Sequence, residues 1–329
     1  MSDRIKLSVT QDTFAMDGTF TISRGSRTEA HVVTVRLEKA GCVAQGECVP
    51  YARYGESMDS VCEQIMSLKD EIEQGLDRLA LQDALEPGAA RNALDCAFWD
   101  LEAKLSGEPV WKLAGLDPLK TVITAFTLSL DTPEKMQQAA ADNAARPLLK
   151  IKLGGEGDME RLRAVRAGAP SSQLIVDANE GWTAEDYDVL APVMLELGVT
   201  LVEQPLPAGA DEPLQGRDRP LPVCADEACH DRKSLASLKG KYDVINIKLD
   251  KTGGLTEALA LKEAALQQGF GVMVGCMVGS SLAMAPALLV AQGVGFVDLD
   301  GPLLLAEDRD VPIVFEGSEM HPAPAALWG

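Results

Sequence analysis

The amino-acid sequence predicts an α/β fold in which a (β/α)-barrel follows a separate α+β domain. From about Thr121 onward, short apolar runs alternate with longer amphipathic segments, which is typical of repeated strand–helix units around a parallel sheet. The ends of seven such runs lie 22 to 27 residues apart, which is room for one strand, one turn and one helix. The residues before Thr121 lack this repeat.

The first third of the chain is predicted to be a separate α+β unit. The segment His31–Leu37 has the alternation of a strand, whereas Ser57–Gln74 and Ala89–Leu105 have helical periodicity. Strands and helices are therefore mixed here without the regular step found later in the chain.

Eight strands are predicted for the barrel. The first is Val122–Leu128, and the next seven end at Lys152, Asp177, Glu203, Asp226, Lys248, Gly275 and Asp298. Eight is the number that closes a parallel barrel of this size. An open three-layer sheet is the alternative, but no glycine-rich GxGxxG motif follows the first strand.

The last stretch, from about Glu307, is Pro-rich and has no periodicity before Val311–Phe315. We expect it to leave the barrel and pack back on the first domain.

Composition argues against several classes of function. The 329 residues include 30 Lys and Arg against 50 Asp and Glu, and the formal net charge of -20 repels nucleic acid and anionic membrane. The opening segment Met1–Thr10 reads as neither a signal peptide nor a membrane span, so we expect a cytoplasmic protein. The seven cysteines are scattered without CxxC pairs, as buried reduced thiols would be.

Three successive strands end in carboxylates, namely Asp177, Glu203 and Asp226. Barrel active sites lie at the carboxyl ends of the strands, so these side chains are expected to converge. Converging negative charges repel one another unless a cation lies between them. Three oxygen ligands suit Mg²⁺, with Mn²⁺ as a possible substitute, and the lack of His and Cys at strand ends argues against zinc. His230 follows Asp226 on a loop, where a surface role is favoured over catalysis.

Two lysines flank the carboxylates: Lys152 on the strand before them and Lys248 on the strand after them. The second and sixth strands of a barrel face each other across its axis. Two amines on opposite sides of a metal-bound carboxylate can each act as base for one enantiomer and as acid for the other. This arrangement predicts a 1,1-proton transfer next to a carboxylate, through an enediolate.

Read together, these motifs resemble the enolase superfamily and, within it, the muconate lactonizing enzyme subgroup. The motifs are Lys150-Ile151-Lys152, Asp177-Ala178-Asn179, Val202-Glu203-Gln204-Pro205, Ala225-Asp226-Glu227, Ile247-Lys248 with Thr252-Gly253-Gly254, and in the first domain Gly46-Glu47-Cys48 and Ala93–Asp100. The resemblance covers nearly the whole chain. It implies a capping domain over 1–118, a modified TIM-type barrel over 119–306 and a C-terminal segment over 307–329.

The resemblance also implies roles for these residues. Mg²⁺ would bind Asp177, Glu203 and Asp226, with Lys152 and Lys248 as the acid/base pair. Lys150 would support Lys152 and approach the substrate carboxylate, while Asn179 and Glu227 would surround the metal ligands without binding the metal. A homo-oligomer is expected from the family alone.

The eighth strand ends in Asp298-Leu299-Asp300, which looks like the DxD motif of the dipeptide epimerases, where two carboxylates hold the free α-ammonium of the substrate. Spacing by two residues places both side chains on one side of an extended chain, as paired acceptors for a cation. The predicted reaction is inversion of the α-carbon of the C-terminal residue of a dipeptide.

The sequence predicts the preferred side chain of the dipeptide substrate less directly than it predicts the reaction. Arg24, on an early loop that closes over the site in this family, could pair with a distal carboxylate, or it is a solvated turn residue. Pairing favours L-Ala-D/L-Glu, a fragment of peptidoglycan. Thr127, Cys276 and Met277 are further expected substrate contacts, with Tyr54 and Glu56 on the next loop as other candidates. Gly279 stands where the family often has an acidic residue, which leaves the specific substrate open.

Other reactions on the same scaffold are the alternatives. An N-acylamino acid racemase or an o-succinylbenzoate synthase would share the lysines and the metal but binds no free ammonium. Such a substrate, like muconate in a cycloisomerase, would leave Asp298 and Asp300 unpaired in the cavity, at considerable cost. A non-catalytic barrel would be expected to have lost a ligand or a lysine, and none is lost here.

Overall fold

The computed structural model describes residues 4–329, so the first three residues of the predicted capping domain and of the opening segment Met1–Thr10 lie outside the described residues. The N-terminal domain is an antiparallel sheet with helices packed on one side. Its elements are β1 (Lys6–Ile22), β2 (Gly25–Lys39), β3 (Cys42–Cys48), α1 (Met58–Ser67), α2 (Lys69–Glu73), α3 (Arg78–Ala84), α4 (Ala89–Ser106) and α5 (Val110–Leu113). A Cβ at Gly46 would lie 2.1 Å from the carbonyl oxygen of Ala93, so glycine is what allows β3 and α4 to pack this closely.

The second part of the chain forms the predicted eight-stranded parallel barrel. After a short β4 (Val122–Ile123), its strands are β5 (Phe126–Leu128), β6 (Leu148–Lys152), β7 (Gln173–Asp177), β8 (Val199–Glu203), β9 (Val223–Ala225), β10 (Val244–Ile247), β11 (Gly271–Gly275) and β12 (Phe296–Asp298). They pair in chain order from β5 to β12. The two edge strands meet where the Ala125 N–H donates to the Val297 carbonyl at 2.8 Å. The fold class is therefore confirmed.

One predicted strand is corrected, because Val122–Leu128 is two strands. The N–H of Thr124 donates to the Ser318 carbonyl at 2.9 Å, whereas the next N–H, of Ala125, donates to the barrel. The hydrogen-bond partner thus changes from the C-terminal segment to the barrel between two adjacent residues. Only β5 belongs to the barrel.

Helices cover the outside of the barrel, and apolar side chains fill its interior. The helices are α6 (Pro133–Asp142), α7 (Asp158–Gly168), α8 (Ala184–Glu196), α9 (Leu235–Leu238), α10 (Leu249–Thr252), α11 (Leu255–Gln267) and α12 (Ser281–Val290). One buried layer inside the strands consists of Ala125, Leu148, Ile175, Leu201, Cys224, Val244 and Met273. No helix within residues 4–329 is long and apolar enough to cross a membrane.

The C-terminal segment contacts both the barrel and the N-terminal domain. Its strands β13 (Phe315–Glu316) and β14 (Glu319–Met320) form a small sheet with β4. The Trp328 indole donates to the Cys96 carbonyl at 3.0 Å, and the Gly329 N–H donates to Asp100 Oδ1 at 2.8 Å.

Arg309 is the main polar link of this segment. Its guanidinium donates to Glu47 Oε2 at 2.7 Å, to Asp12 Oδ2 at 3.0 Å and to the hydroxyls of Thr34 and Ser280 at 2.7 and 3.0 Å. The carboxylate of Glu47 is buried, so its charge depends on these donors.

We expect Arg309→Met to lower the free energy of unfolding by ~3 kcal/mol, because it leaves the Glu47 carboxylate buried without its cation. Urea titration followed by circular dichroism measures the loss. Arg36→Met, which removes the exposed ion pair between Arg36 and Glu38, is the control and should cost less than about 0.5 kcal/mol. Equal losses in the two variants would contradict this role of Arg309.

Candidate active site

The register of the barrel strands brings the predicted site residues together. Lys152 on β6 pairs with Asp177 on β7, and Asp177 pairs with Glu203 on β8. Asp226 follows β9 by one residue, and Lys248 follows β10. Because β6 and β10 are four strands apart in a ring of eight, the two lysines approach the carboxylates from opposite sides.

Buried lysines make short contacts with every one of the three carboxylates. Lys150 Nζ lies 2.7 Å from Glu203 Oε2 and 3.2 Å from Asp177 Oδ2. Lys152 Nζ lies 2.6 Å from the same oxygen of Asp177. On the other side, Lys248 Nζ lies 2.7 Å from Asp226 Oδ2. All of these side chains are less than one-tenth exposed, so their charges are balanced within the protein.

Burial and charge pairing act in opposite directions on the pKa values of this cluster. Burial disfavours the charge of Lys150 and Lys248, but the neighbouring carboxylates outweigh it and hold the pKa of each lysine well above its ordinary value. For Asp177 and Asp226, burial is likewise outweighed by the lysines, so the pKa of each carboxyl is lowered. Burial, reinforced by the charge of Asp177, raises the pKa of Glu203.

Each carboxylate is held through one oxygen and presents the other to Lys150, Lys152 or Lys248. Asp177 Oδ1 accepts from the Asn179 N–H at 2.9 Å, and Glu203 Oε1 accepts from Asn246 Nδ2 at 2.7 Å. Asp226 Oδ1 accepts from Lys251 Nζ at 2.6 Å. Three oriented oxygens, one from each residue, are of the chemical type that Mg²⁺ takes as ligands in proteins, and a cation there would replace part of the lysine charge.

Lys251 was not predicted from the sequence. It is fully buried and also donates to the carbonyls of Asp226 and Asn246, at 2.5 and 3.0 Å. Its position three residues after Lys248, on the short helix α10, places both amines near the same carboxylate. A KxxK spacing at the end of a strand was the available signal.

The predicted ammonium site has two buried carboxylates. Asp298 Oδ2 contacts Lys150 Nζ at 2.7 Å, while its Oδ1 is buried and has no hydrogen-bond partner among residues 4–329. Asp300 Oδ2 accepts from the backbone N–H of Thr127 at 2.7 Å. Burial raises the pKa of Asp300 to about 7, and the negative charge of Asp298 acts in the same direction with a smaller effect. Thr127 therefore contacts the site through its backbone and orients Asp300.

A cavity lies between this cluster and the N-terminal domain. It is lined by Phe20, Ile22, Arg24, Arg27, Tyr51, Tyr54, Lys152, Asn179, Asp226, Glu227, Lys248, Cys276, Met277 and Val278. Both predicted acid/base lysines thus reach the cavity, together with Cys276 and Met277. Asp298 and Asp300, at 4% and 3% exposure, are as buried as Asp226 and Glu227 but do not belong to this lining.

Arg24 reaches the cavity but is fully engaged by the protein. Its guanidinium lies 2.8 Å from Glu227 Oε1 and donates to the Tyr51 hydroxyl and the Asn179 carbonyl, both at 2.9 Å. Pairing of Arg24 with a substrate carboxylate stays a prediction, and it would require one of these contacts to break. The candidate Glu56 accepts from the backbone of Tyr51, whereas Tyr54 lines the cavity.

Arg27 was not singled out in the sequence, yet its position is more open. It lies directly across the β1–β2 hairpin from Phe20, whose ring centre is 6.0 Å from Lys152 Nζ. Side chains of directly opposed residues lie on the same face of a hairpin. Within residues 4–329, no ion pair or side-chain hydrogen bond involves its guanidinium, which lies 6.0 Å from the Tyr51 ring centre.

The structure also explains Gly279. A Cβ at this position would lie 3.0 Å from Glu47 Oε1, which accepts from the Ser280 N–H at 2.8 Å. A carboxylate from the N-terminal domain therefore contacts the loop after β11, and an acidic side chain at 279 would bring a second negative charge next to it.

Comparison with known proteins is consistent with this geometry. Residues 133–315 match the family described as "Enolase C-terminal domain-like", and residues 4–115 match the "Mandelate racemase / muconate lactonizing enzyme, N-terminal domain". The chain belongs to the enolase superfamily. Among its superfamily relatives, the L-Ala-D/L-Glu epimerase of Escherichia coli (strain K12) is 48% identical over 96% of this chain and 99% of its own length.

Two further superfamily members are similar over most of the chain. An N-acetyl-D-glutamate racemase from Pseudoalteromonas sp is 48% identical over 86% of this chain and 90% of its own. A solved enolase family member from Agrobacterium tumefaciens, with homology to dipeptide epimerases and with bound sodium and L-Ala-L-Glu, is 53% identical. It covers 99% of this chain and 100% of its own, with a TM-score of 0.97. The protein described by the present sequence is thus an isomerase of the racemase and epimerase class.

If the three oriented oxygens form the cation site, Mg²⁺ should raise the melting temperature, because it binds only the folded chain. Saturation at about 100 times its Kd corresponds to ~2.7 kcal/mol. Glu203→Gln should abolish most of the Mg²⁺-dependent shift in differential scanning fluorimetry. Glu319→Gln is the control, since Glu316, Glu319 and His321 form an exposed group that could also hold a cation. A shift lost in Glu319→Gln and retained in Glu203→Gln would assign the ion to that exposed group.

Proposed function

We propose that this protein is a Mg²⁺-dependent dipeptide epimerase that inverts the α-carbon of the C-terminal residue, with L-Ala-D/L-Glu as its substrate. The observation that carries the proposal is the pair Lys152 and Lys248, buried on opposite sides of the three carboxylates and both lining one cavity. An α-carbon between two amines can lose a proton on one face and gain one on the other.

The chemistry of the chain's own residues follows from that placement. One lysine, in its neutral form, takes the α-proton, and the other, protonated, returns a proton to the opposite face. Lys150, which touches Asp177, Glu203 and Asp298, contributes positive charge next to the substrate carboxylate. When bound, Mg²⁺ supplies charge that stabilises the enediolate and weakens the hold of the carboxylates on the lysine protons.

The DxD pair supports a dipeptide with a free amino group. Asp298 has a buried oxygen without a hydrogen-bond partner in the described part of the chain, and Asp300 lies two residues away with its pKa raised by burial and by Asp298. An ammonium group would satisfy the free oxygen and stabilise the charge of both carboxylates.

The preference for an acidic C-terminal residue is supported by Arg27. A chain with a net charge of -20 repels an anionic substrate, so a local cation is needed where the distal carboxylate binds. Arg27 lines the cavity on the same face as Phe20, and its guanidinium is free to form an ion pair. We therefore assign it, rather than the engaged Arg24, to that carboxylate.

Racemisation of N-acetylglutamate is the second candidate, favoured by the Pseudoalteromonas relative. It would use the same lysines and the same acidic side chain. It differs in the amino group, because an acetylated nitrogen carries no charge and would leave Asp298 and Asp300 without a cation.

Incubation with Mg²⁺ in D₂O tests the proposal. We expect deuterium at the C-terminal α-carbon of L-Ala-L-Glu, with epimerisation to L-Ala-D-Glu, and loss of epimerisation in both Lys152→Ala and Lys248→Ala. Mass spectrometry and chiral chromatography measure the two quantities. Arg36→Met serves as a surface control. Exchange in N-acetylglutamate but in no dipeptide would refute the dipeptide assignment and favour the racemase.

The proposed preference of the enzyme for an acidic C-terminal residue in the dipeptide is tested by the variant Arg27→Met. We expect kcat/KM for L-Ala-L-Glu to fall by roughly 10- to 100-fold, as for loss of a charged hydrogen bond, and kcat/KM for the neutral L-Ala-L-Gln to change little. Arg24→Met should impair both dipeptides similarly, since Arg24 binds protein groups. Equal losses for the two dipeptides in Arg27→Met would remove Arg27 from side-chain recognition.

A further inference from the structure

We propose that Glu180, on the loop after β7, is the positioning residue that holds two segments of the N-terminal domain over the cavity. The Glu180 carboxylate contacts an arginine from each segment, Arg53 from the turn after β3 and Arg24 from the β1–β2 hairpin. Arg53 donates from Nε to Oε2 and from Nη2 to Oε1, each at 2.9 Å, which is the two-pronged geometry of a strong arginine–carboxylate pair. Arg24, at the tip of the β1–β2 hairpin, lies 3.3 Å from Oε2.

The barrel holds Glu180 firmly. Asn179 and Glu180 both have positive φ, 45° and 66°, a conformation that non-glycine residues avoid and that needs support from neighbouring contacts. The support is present: the Glu180 N–H donates to the Gln204 carbonyl at 2.9 Å, and the Ala208 N–H donates to Glu180 Oε1 at 2.7 Å. The side chain is only 9% exposed, so solvent screens its charge weakly.

The two arginines connect this anchor to the wall of the cavity. Within residues 4–329, Arg53 forms an ion pair only with Glu180, and it belongs to the 3-10 turn Ala52–Tyr54. Tyr54 in that turn and Tyr51 just before it both line the cavity. Arg24 donates to the Tyr51 hydroxyl at 2.9 Å, so the hairpin and the turn are also joined to each other. Neutralising Glu180 would weaken the hold on both segments, on the turn more than on the hairpin, because Arg24 keeps its contacts with Glu227 and the Asn179 carbonyl.

The functional consequence concerns closure of the site. The two segments form part of the wall of the cavity that contains Lys152 and Lys248, a place where opening and closing of a segment controls ligand entry and release. If Glu180 favours the closed arrangement, its loss lowers the closed fraction, and the apparent affinity falls by the same factor. Within residues 4–329, Glu180 forms no hydrogen bond or ion pair with either lysine, so the proton-transfer step itself should be spared.

The test is Glu180→Gln, which keeps the shape and removes the charge. The kinetic part rests on the proposed function: KM for L-Ala-L-Glu should rise by about 10-fold with kcat nearly unchanged. A second part needs no substrate, because hydrogen–deuterium exchange of peptides covering 20–28 and 50–56 should become faster in Glu180→Gln than in wild type.

Glu257→Gln is the matched control. Glu257 forms the same two-pronged contact with Arg232, at 3.0 and 2.8 Å, and its side chain is 11% exposed, but it lies away from the cavity. It should leave KM and the exchange of both peptides unchanged. Arg53→Met, which removes the partner instead of the anchor, should reproduce the effects of Glu180→Gln and covers the case in which that variant folds poorly.

The outcomes separate the two proposals. Wild-type protein that turns over no dipeptide refutes the proposed function, while faster exchange in both peptides would still support the role of Glu180. Unchanged exchange in Glu180→Gln and Arg53→Met, or a fall in kcat without a rise in KM, would overturn that role.

Discussion

Charge compensation at the carboxyl end of the barrel is the constraint on which the rest of the structure depends. Lysines from β6, from just after β10 and from α10 surround three buried carboxylates, and removing any member would leave a buried charge with fewer partners of opposite sign. The neighbouring strands must keep their register for these contacts to form, since a slip of one residue would turn each side chain to the opposite face. The same cluster that constrains the register of the barrel strands thus places the proposed reactive groups.

The N-terminal domain completes the site from the other side. Its β1–β2 hairpin supplies Phe20, Arg24 and Arg27 to the cavity wall, and the segment after β3 supplies Tyr51 and Tyr54. Glu47 reaches further and fixes the loop after β11, which carries Cys276 and Met277. The barrel therefore holds the reactive groups, while the second domain shapes the space around them.

Much of this arrangement was predictable from the sequence, because periodicity and spacing determine it. Regular steps between strand ends indicated eight strands, and the strand order indicated that Lys152 and Lys248 would face each other. The partners of Arg24 were not predictable, since they lie 27 to 203 residues away in the sequence and depend on side-chain direction. The break at Thr124 was equally hidden: Val122–Leu128 reads as one apolar run, and only the position of the C-terminal segment decides that it divides.

The contacts of Trp328 and Gly329 with α4 have a consequence for the order in which the protein can mature. Asp100 and Gly329 are 229 residues apart in the sequence, yet they share a hydrogen bond. A nascent chain exposes α4 early on the ribosome, but the carbonyl of Cys96 meets its indole partner only after nearly the whole barrel has been translated. Helix α4 is thus translated well before the residues that complete its contacts.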